Sequence, residues 1–169
     1  MVLVKPVRPT FISFPVLKNE RIILREVQDS DLEDLIEISF YDGIPAKDFA
    51  DAKIMNERII EDYMNGESIH WLISSVSTGE TLGSCGFYRG FHDDIGEIGY
   101  VLKKTHYGQG YMTEAVSLML EFGWNKLHLK AIKAATSKDN QPSINVLTKA
   151  GFEISEIVDE EIVFIKARD

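Results

Sequence analysis

The sequence predicts one α/β domain in the mixed, α+β sense: a mostly antiparallel central sheet flanked by helices. Three observations carry that prediction. A length of 169 residues suits one domain better than two. The order of periodic segments reads β-α-α-β-β-β-α-β-α-β-β, which is not the strict alternation of a doubly wound fold. The middle strands are joined by short polar turns, which requires antiparallel neighbours.

The elements follow in order. Residues 1–16 read as an N-terminal extension and residues 17–169 as the domain. The opening MVLVKPVRPTFISFPVL interrupts its apolar residues with Lys5, Pro6, Arg8 and Pro9, unlike a secretory leader. Residues 20–26, with β-branched Ile22 and Ile23, predict a strand. Asp29 or Ser30 then caps a helix that presents Leu32, Leu35, Ile36 and Phe40 on one face. Asp42-Gly43-Ile44-Pro45 breaks it. A second helix is expected over 51–64, with Ile54 and Ile59 on its apolar side, closed by Asn65-Gly66. Strands follow at 69–76, 81–89 and 95–102, separated by Ser77-Thr78-Gly79-Glu80 and a polar turn at 90–94. A glycine-bearing loop at 105–110 then leads into a helix with a stripe at Met112, Ala115, Val116, Met119, Leu120 and Gly123. Residues 129–136 predict a strand and 140–150 a short helix with Pro142 in its first turn and Gly151 as its cap. Two strands, 152–158 and 161–166, end the chain.

Composition narrows the function. Lys plus Arg is 18 and Asp plus Glu is 27, a formal charge of −9, which opposes a nucleic-acid partner. No segment reaches the ~20 apolar residues of a membrane span. The single cysteine, Cys85, allows no internal disulfide, so a cytoplasmic setting is expected. It reads as a small buried hydrophobe. His70, His92, His106 and His128 have no metal-ligand spacing, so no metal is expected.

The chemistry centres on Tyr107-Gly108-Gln109-Gly110-Tyr111-Met112-Thr113, between a strand and a helix. Glycines turn the backbone sharply, and a helix start offers unpaired N–H groups and the positive dipole end, which together suit a phosphate. A P-loop is excluded because the loop lacks the Lys-Ser/Thr pair. A dinucleotide fingerprint fits poorly, because Thr113 stands at its third glycine. A coenzyme A pyrophosphate loop, or a tight turn with no ligand, stays open on these residues alone.

Glu97-Ile98-Gly99-Tyr100, the loop continued through Glu114-Ala115, Asn140-Gln141-Pro142-Ser143 and Lys149-Ala150-Gly151-Phe152 jointly resemble the GNAT superfamily of N-acetyltransferases, in particular the ribosomal-protein alanine acetyltransferase branch. The similarity runs from about residue 17 to 166. It implies two central strands, 95–102 and 129–136, diverging after a bulge, with the pantetheine of acetyl-CoA between them. Its arm would bond backbone at Tyr100, Val101 and Leu102, and its pyrophosphate the amides of Gly108, Gln109, Gly110, Tyr111, Met112 and Thr113, with Asn140 also on the arm. The sequence departs from the superfamily in having Thr105 three positions before the first loop glycine. It also has Leu147 where many members place a tyrosine acid. Ser143 matches a serine implicated in the alanine branch.

Acetyl transfer to an amine needs a deprotonated nucleophile. An amine with a pKa of about 10.4 is neutral in only about one part in 2,500 at pH 7, a cost of roughly 4–5 kcal/mol, whereas an α-amine near ~8 costs about 1–1.5 kcal/mol. Glu97 is the candidate base, on a strand face with Ile95, Gly99 and Val101. Apolar neighbours would raise its pKa toward neutrality, unless it stands in an ion pair. Amides near Tyr100 or Val101 are candidates for the oxyanion, and Ser143 for the proton to the thiolate. Trp71, Phe87, Tyr88, Phe40 and Tyr41 are candidates for the acceptor pocket. The expected activity is direct acetyl transfer from acetyl-CoA to a primary amine: a protein N-terminus, a polyamine or a small amine. The alternative is a non-catalytic acyl-CoA-binding regulator on the same fold. The last two strands are candidates for pairing across a homodimer.

Overall fold

The computed structural model describes residues 11–169; the first ten residues of the expected extension lie outside the described range. Short β1 (Leu17–Lys18) pairs with β2 (Ile22–Arg25). The first expected helix is broken. A 3₁₀ turn at Asp29–Asp31 leads into α1 (Leu32–Leu35) and a second 3₁₀ turn at Ile36–Ile38. The cap is Gln28, whose N–H donates to Asp31 at 2.7 Å, rather than Asp29 or Ser30. The tighter winding turns Ile38 inward in place of Ile36, and Phe40 falls beyond the helix, 49% exposed. A small hairpin of β3 (Phe40–Tyr41) and β4 (Ile44–Pro45), not expected from the sequence, sits over this end.

Asp48 accepts from the Asp51 N–H and starts α2 (Phe49–Met64) two residues earlier than expected. Its buried positions are Ala52 and Asn56, while Ile54 is exposed. The meander follows as β5 (Ile69–Ser75), β6 (Thr81–Tyr88) and β7 (Ile95–Leu102). Then come α3 (Tyr111–Asn125), β8 (Ala131–Ser137), α4 (Gln141–Lys149), β9 (Glu153–Val158) and β10 (Glu161–Ala167).

The large sheet has eight strands in the order β1-β2-β5-β6-β7-β8-β10-β9. Every neighbouring pair is antiparallel except β7·β8. Its two faces bury different helices. The predicted stripe of α3, joined by Leu147 of α4, packs on Ile22, Leu24, Trp71, Phe87 and Ile132. The other face carries Leu72 and Val101 against Leu32, Leu35 and Ile38. Phe11 and Phe14 lie on the first core, and the Trp71 indole donates to the Pro15 carbonyl at 2.8 Å. Cys85 is buried, and burial pushes its thiol pKa up strongly.

The decisive feature is a failure of pairing. The β7·β8 ladder holds only Ile95↔Ala131, Gly96↔Ile132 and Glu97↔Lys133. Beyond Glu97 and Lys133 the two strands part, while β7 stays paired to β6 as far as Leu102 and β8 to β10 as far as Ser137. The expected bulge is absent from both outer ladders, whose registers run without a shift. Divergence of two intact antiparallel ladders, not an inserted residue, opens the gap.

Candidate active site

The gap exposes backbone. The Lys103 N–H bonds the Leu82 carbonyl, which sets the alternation of the β6·β7 ladder. Counting back, Val101 and Gly99 direct their polar groups to β6, and Tyr100 and Leu102 direct theirs into the gap. Of the two amides considered for the oxyanion, Tyr100 therefore faces the gap and Val101 does not. On the opposite strand the Lys138 N–H to Glu160 carbonyl bond turns Ala135 and Ser137 toward the gap in the same way.

A cavity of about 1070 Å³ fills this side. Its walls are β7 from Ile98 to Leu102, β8 at Ala134 to Thr136, the glycine loop and α4 along its length. Gly108 and Gly110 have φ of +74° and +83°, a region that L side chains rarely adopt. Gly110 caps α3, whose first amides therefore have no side-chain partner and point at the cavity. Gly108, Gly110, Tyr111, Met112 and Thr113 all line it, although Met112 sends its side chain to the core. Gln109 does not. Its side chain folds back to the Thr105 carbonyl at 3.4 Å, and its own carbonyl accepts from Arg21 at 3.0 Å.

Arg21 was not singled out in the sequence. From β1–β2 it stacks 4.5 Å over the Tyr111 ring, pairs with Glu114 at 2.5 Å and holds the Gln109 carbonyl. Asn19 adds a second bond to Glu114 at 3.0 Å. The loop is thus braced from the β1–β2 turn about 90 residues away in sequence, which no local motif announces.

Asn140 lines the cavity and caps α4, its Oδ1 accepting from the Ser143 N–H at 3.2 Å. The Ser143 hydroxyl makes no local backbone bond. It meets the Tyr100 hydroxyl at 2.8 Å, and burial raises the Tyr100 phenol's pKa, so it stays protonated at neutral pH. Leu147 is fully buried core.

A second cavity, about 550 Å³, lies on the α1–α2 face. The two cavities share Ile98, Gly99, Tyr100, Val101 and Ala135, so they meet at the gap. Glu97 stands in the second, its side chain 19% exposed. The expected apolar setting is corrected: Arg89 bonds Oε1 at 3.2 Å and Lys133 lies 3.8 Å from Oε2. The register explains this, because Lys133 is the cross-strand partner of Glu97. The Lys133 contact is too long for a hydrogen bond and leaves Oε2 available as an acceptor.

Tyr88 lies flat beside Glu97 over Gly86 and Gly99, where a Cβ would meet its ring at 2.9 and 3.2 Å. Its hydroxyl contacts His70 Nδ1 at 2.5 Å. Burial pushes His70 down to about 4 and the Tyr88 phenol well up, so both are neutral near pH 7. Of the expected acceptor aromatics, Tyr88, Phe40 and Tyr41 line this cavity. Trp71 and Phe87 do not; they alternate to the α3 face and are wholly buried. Among the described residues no group of three His, Cys, Asp or Glu is placed to hold a metal ion, and no helix is long and apolar enough to cross a membrane.

Comparison with known proteins agrees with this geometry. The family model of the acetyltransferase (GNAT) domain matches residues 21–153. The N-acetyltransferase p20 of Bacillus licheniformis, itself uncharacterized, is 31% identical over 145 residues, 81% of this chain and 82% of that protein. The uncharacterized N-acetyltransferase YoaA of Bacillus subtilis is 30% identical over 83% of this chain and 84% of its own length. Among solved structures, the ribosomal-protein-S5-alanine acetyltransferase of Vibrio fischeri superposes with a TM-score of 0.73 at 17% identity, covering 92% of this chain and 97% of that one. The microcin C7 self-immunity acetyltransferase MccE, solved with acetyl-CoA and AMP, gives 0.75 at 19% identity over 89% and 94%. This chain belongs to the GNAT acetyltransferase family and is an N-acetyltransferase.

Proposed function

We propose that the protein transfers an acetyl group from acetyl-CoA to a primary amine by direct attack, with the coenzyme in the first cavity and the amine in the second. One observation carries the reading: the two cavities join where β7 and β8 part, with Glu97 at the fork. The residues fit the coenzyme. A cradle of positive-φ glycines and free helix amides suits a diphosphate, and a strand edge with an unpaired carbonyl at Tyr100 and an unpaired N–H at Leu102 suits an amide-bearing arm. Acetyl-CoA supplies the activated acyl group and a thiolate that leaves readily.

Each residue then has a defined task. Glu97 Oε2 accepts the proton of the incoming ammonium, directly or through one water, while Arg89 fixes the carboxylate's orientation. The Tyr100 N–H donates to the acyl oxygen as negative charge builds there. The Tyr100–Ser143 hydroxyl pair carries a proton toward the thiolate from the opposite side of the gap. Tyr100 thus occupies, from a strand, the role that Leu147 leaves vacant in the last helix. Residues 17–169 form the domain that performs this reaction, in a reducing cytoplasm, with Phe11, Phe14 and Pro15 of the N-terminal extension packed against its core.

Thiol release from acetyl-CoA with a panel of amines and N-terminal peptides tests the reading. At least one amine should support turnover that Glu97→Gln lowers by about 10²- to 10⁴-fold. Turnover by Glu97→Gln equal to wild type refutes the assigned base. Tight coenzyme binding with no turnover on any amine selects the regulator instead.

A further inference from the structure

The second cavity is not electrically neutral. Asp42, Asp62, Glu67, Glu97 and Glu161 line it, with Arg89 the one cation in the lining, Arg58 behind it over the Tyr41 ring at 5.4 Å and Lys133 3.8 Å from Glu97. His70 is uncharged at neutral pH and offsets nothing. Among the described residues Asp42, Asp62, Glu67 and Glu161 form no ion pair.

Two of these acidic residues are joined through their backbones at one end of a helix. The Glu67 N–H bonds the Asp62 carbonyl at 2.9 Å, which folds Glu67 back onto the end of α2. That end has no basic residue in its last turn, so its dipole and both carboxylates add negative potential. Acids at a helix C-terminus are unfavourable unless a cation comes. The Tyr41 hydroxyl bonds Asp62 at 3.1 Å and walls the spot. An independent observation points to a ligand here. Ser68, 5% exposed and lining the same cavity, has a buried hydroxyl with no hydrogen-bond partner among the described residues. Such orphans are rare in native proteins and call for a partner that is absent from the bare chain. The spot adjoins Glu97: the Gly90 N–H bonds the Glu67 carbonyl at 2.9 Å, and the preceding Arg89 bonds Glu97.

We propose that the C-terminal end of α2, with Asp62, Glu67 and the Ser68 hydroxyl, is a cation subsite selecting acceptors that carry a second positive charge beyond the reacting amine. The inference rests on the acceptor assignment above. The apolar wall at Ile38, Met55 and Ile59 suits the methylene stem between the two charges.

Paired substrates that differ by one charge test it. Diamines of three to six carbons are compared with the matching monoamines, and alanyl-lysine amide with alanyl-norleucine amide, at low salt. In wild type the charged member of at least one pair is preferred by about tenfold in kcat/KM, and the pair identifies whether a small amine or a peptide terminus is the source. Asp62→Asn/Glu67→Gln brings that ratio near one. Ser68→Ala, which removes no bond within the protein, lowers it by about twofold to fivefold. A wild-type ratio near one in both pairs, or a ratio unmoved by the double substitution, overturns the proposal while leaving amine acetylation intact. If no amine is turned over, the acetyltransfer reading fails, and calorimetry of the diamines on the CoA-saturated protein judges the subsite alone. Binding that weakens in the double variant supports it, and no binding to wild type overturns it.

Discussion

Gly108→Ala separates backbone strain from coenzyme recognition. Gly108 holds φ of +74°, and a Cβ built there meets no atom within 4 Å, so the substitution brings strain without a clash. Placing an L-residue in the left-handed region costs about 1–2 kcal/mol. For a chain of this length that lowers Tm by roughly 2–8 °C. Gly79 is a matched control. Its φ is +72°, its Cβ would also meet nothing, and it lies in the β5–β6 turn, outside both cavities. Gly79→Ala should therefore lower Tm by the same amount. The two variants part in binding. A methyl group in the loop keeps the diphosphate from its nearest amide, removing about one charge-assisted hydrogen bond, ~1.5–3 kcal/mol, or roughly 10- to 150-fold in affinity. Differential scanning fluorimetry reads the first quantity and calorimetry with coenzyme A the second. Equal melting losses with unchanged coenzyme affinity in Gly108→Ala would show that these amides do not hold the diphosphate.

The other predictions are brief. Tyr100→Phe and Ser143→Ala each remove one end of the same 2.8 Å bond, so each lowers kcat by about tenfold or more and the double variant no further than the worse single; multiplicative losses in steady-state kinetics would show that they do not act as one relay. Arg21→Ala frees Glu114 and the Gln109 carbonyl, so the coenzyme Kd should rise about threefold while kcat holds. Arg21→Lys should not restore it, because the stack on Tyr111 needs a planar cation. His70 sits near 4 when folded and at about 6.5 when unfolded. The unfolded chain then binds more protons between those values, so stability is full above about pH 6.5 and falls as pH drops toward 4, by roughly 1–3 kcal/mol. Denaturant titrations at pH 7.5 and 4.5 should show a smaller loss for His70→Asn than for wild type.

Much of this molecule is legible in its amino-acid order because the signals are local. The α3 stripe needs only a 3.6-residue period, and all six predicted positions are buried. Strand β7 begins and ends where its alternation does. The glycine loop carries its own conformational requirement. The first helix departs from its apolar period because a period cannot distinguish α from 3₁₀ winding over ten residues. The change of pitch at Ile36 moves the next inward position to Ile38 and throws Phe40 outside. The aromatic type of Trp71 and Phe87 suits an acceptor pocket, but residue type does not say which sheet face is which; only packing against α3 does.

What the chain order alone determined is the set of elements and the sharp glycine turn of one loop, since both depend on neighbours within a few bonds. Tertiary structure decided the rest. It parted β7 from β8 after three residue pairs, set Lys133 and Arg89 on Glu97, carried Arg21 to the loop and left the Ser68 hydroxyl without a partner among the described residues. Those relations join residues far apart in sequence, and they exist only when sheet register and strand divergence bring the side chains within hydrogen-bonding or ion-pairing distance.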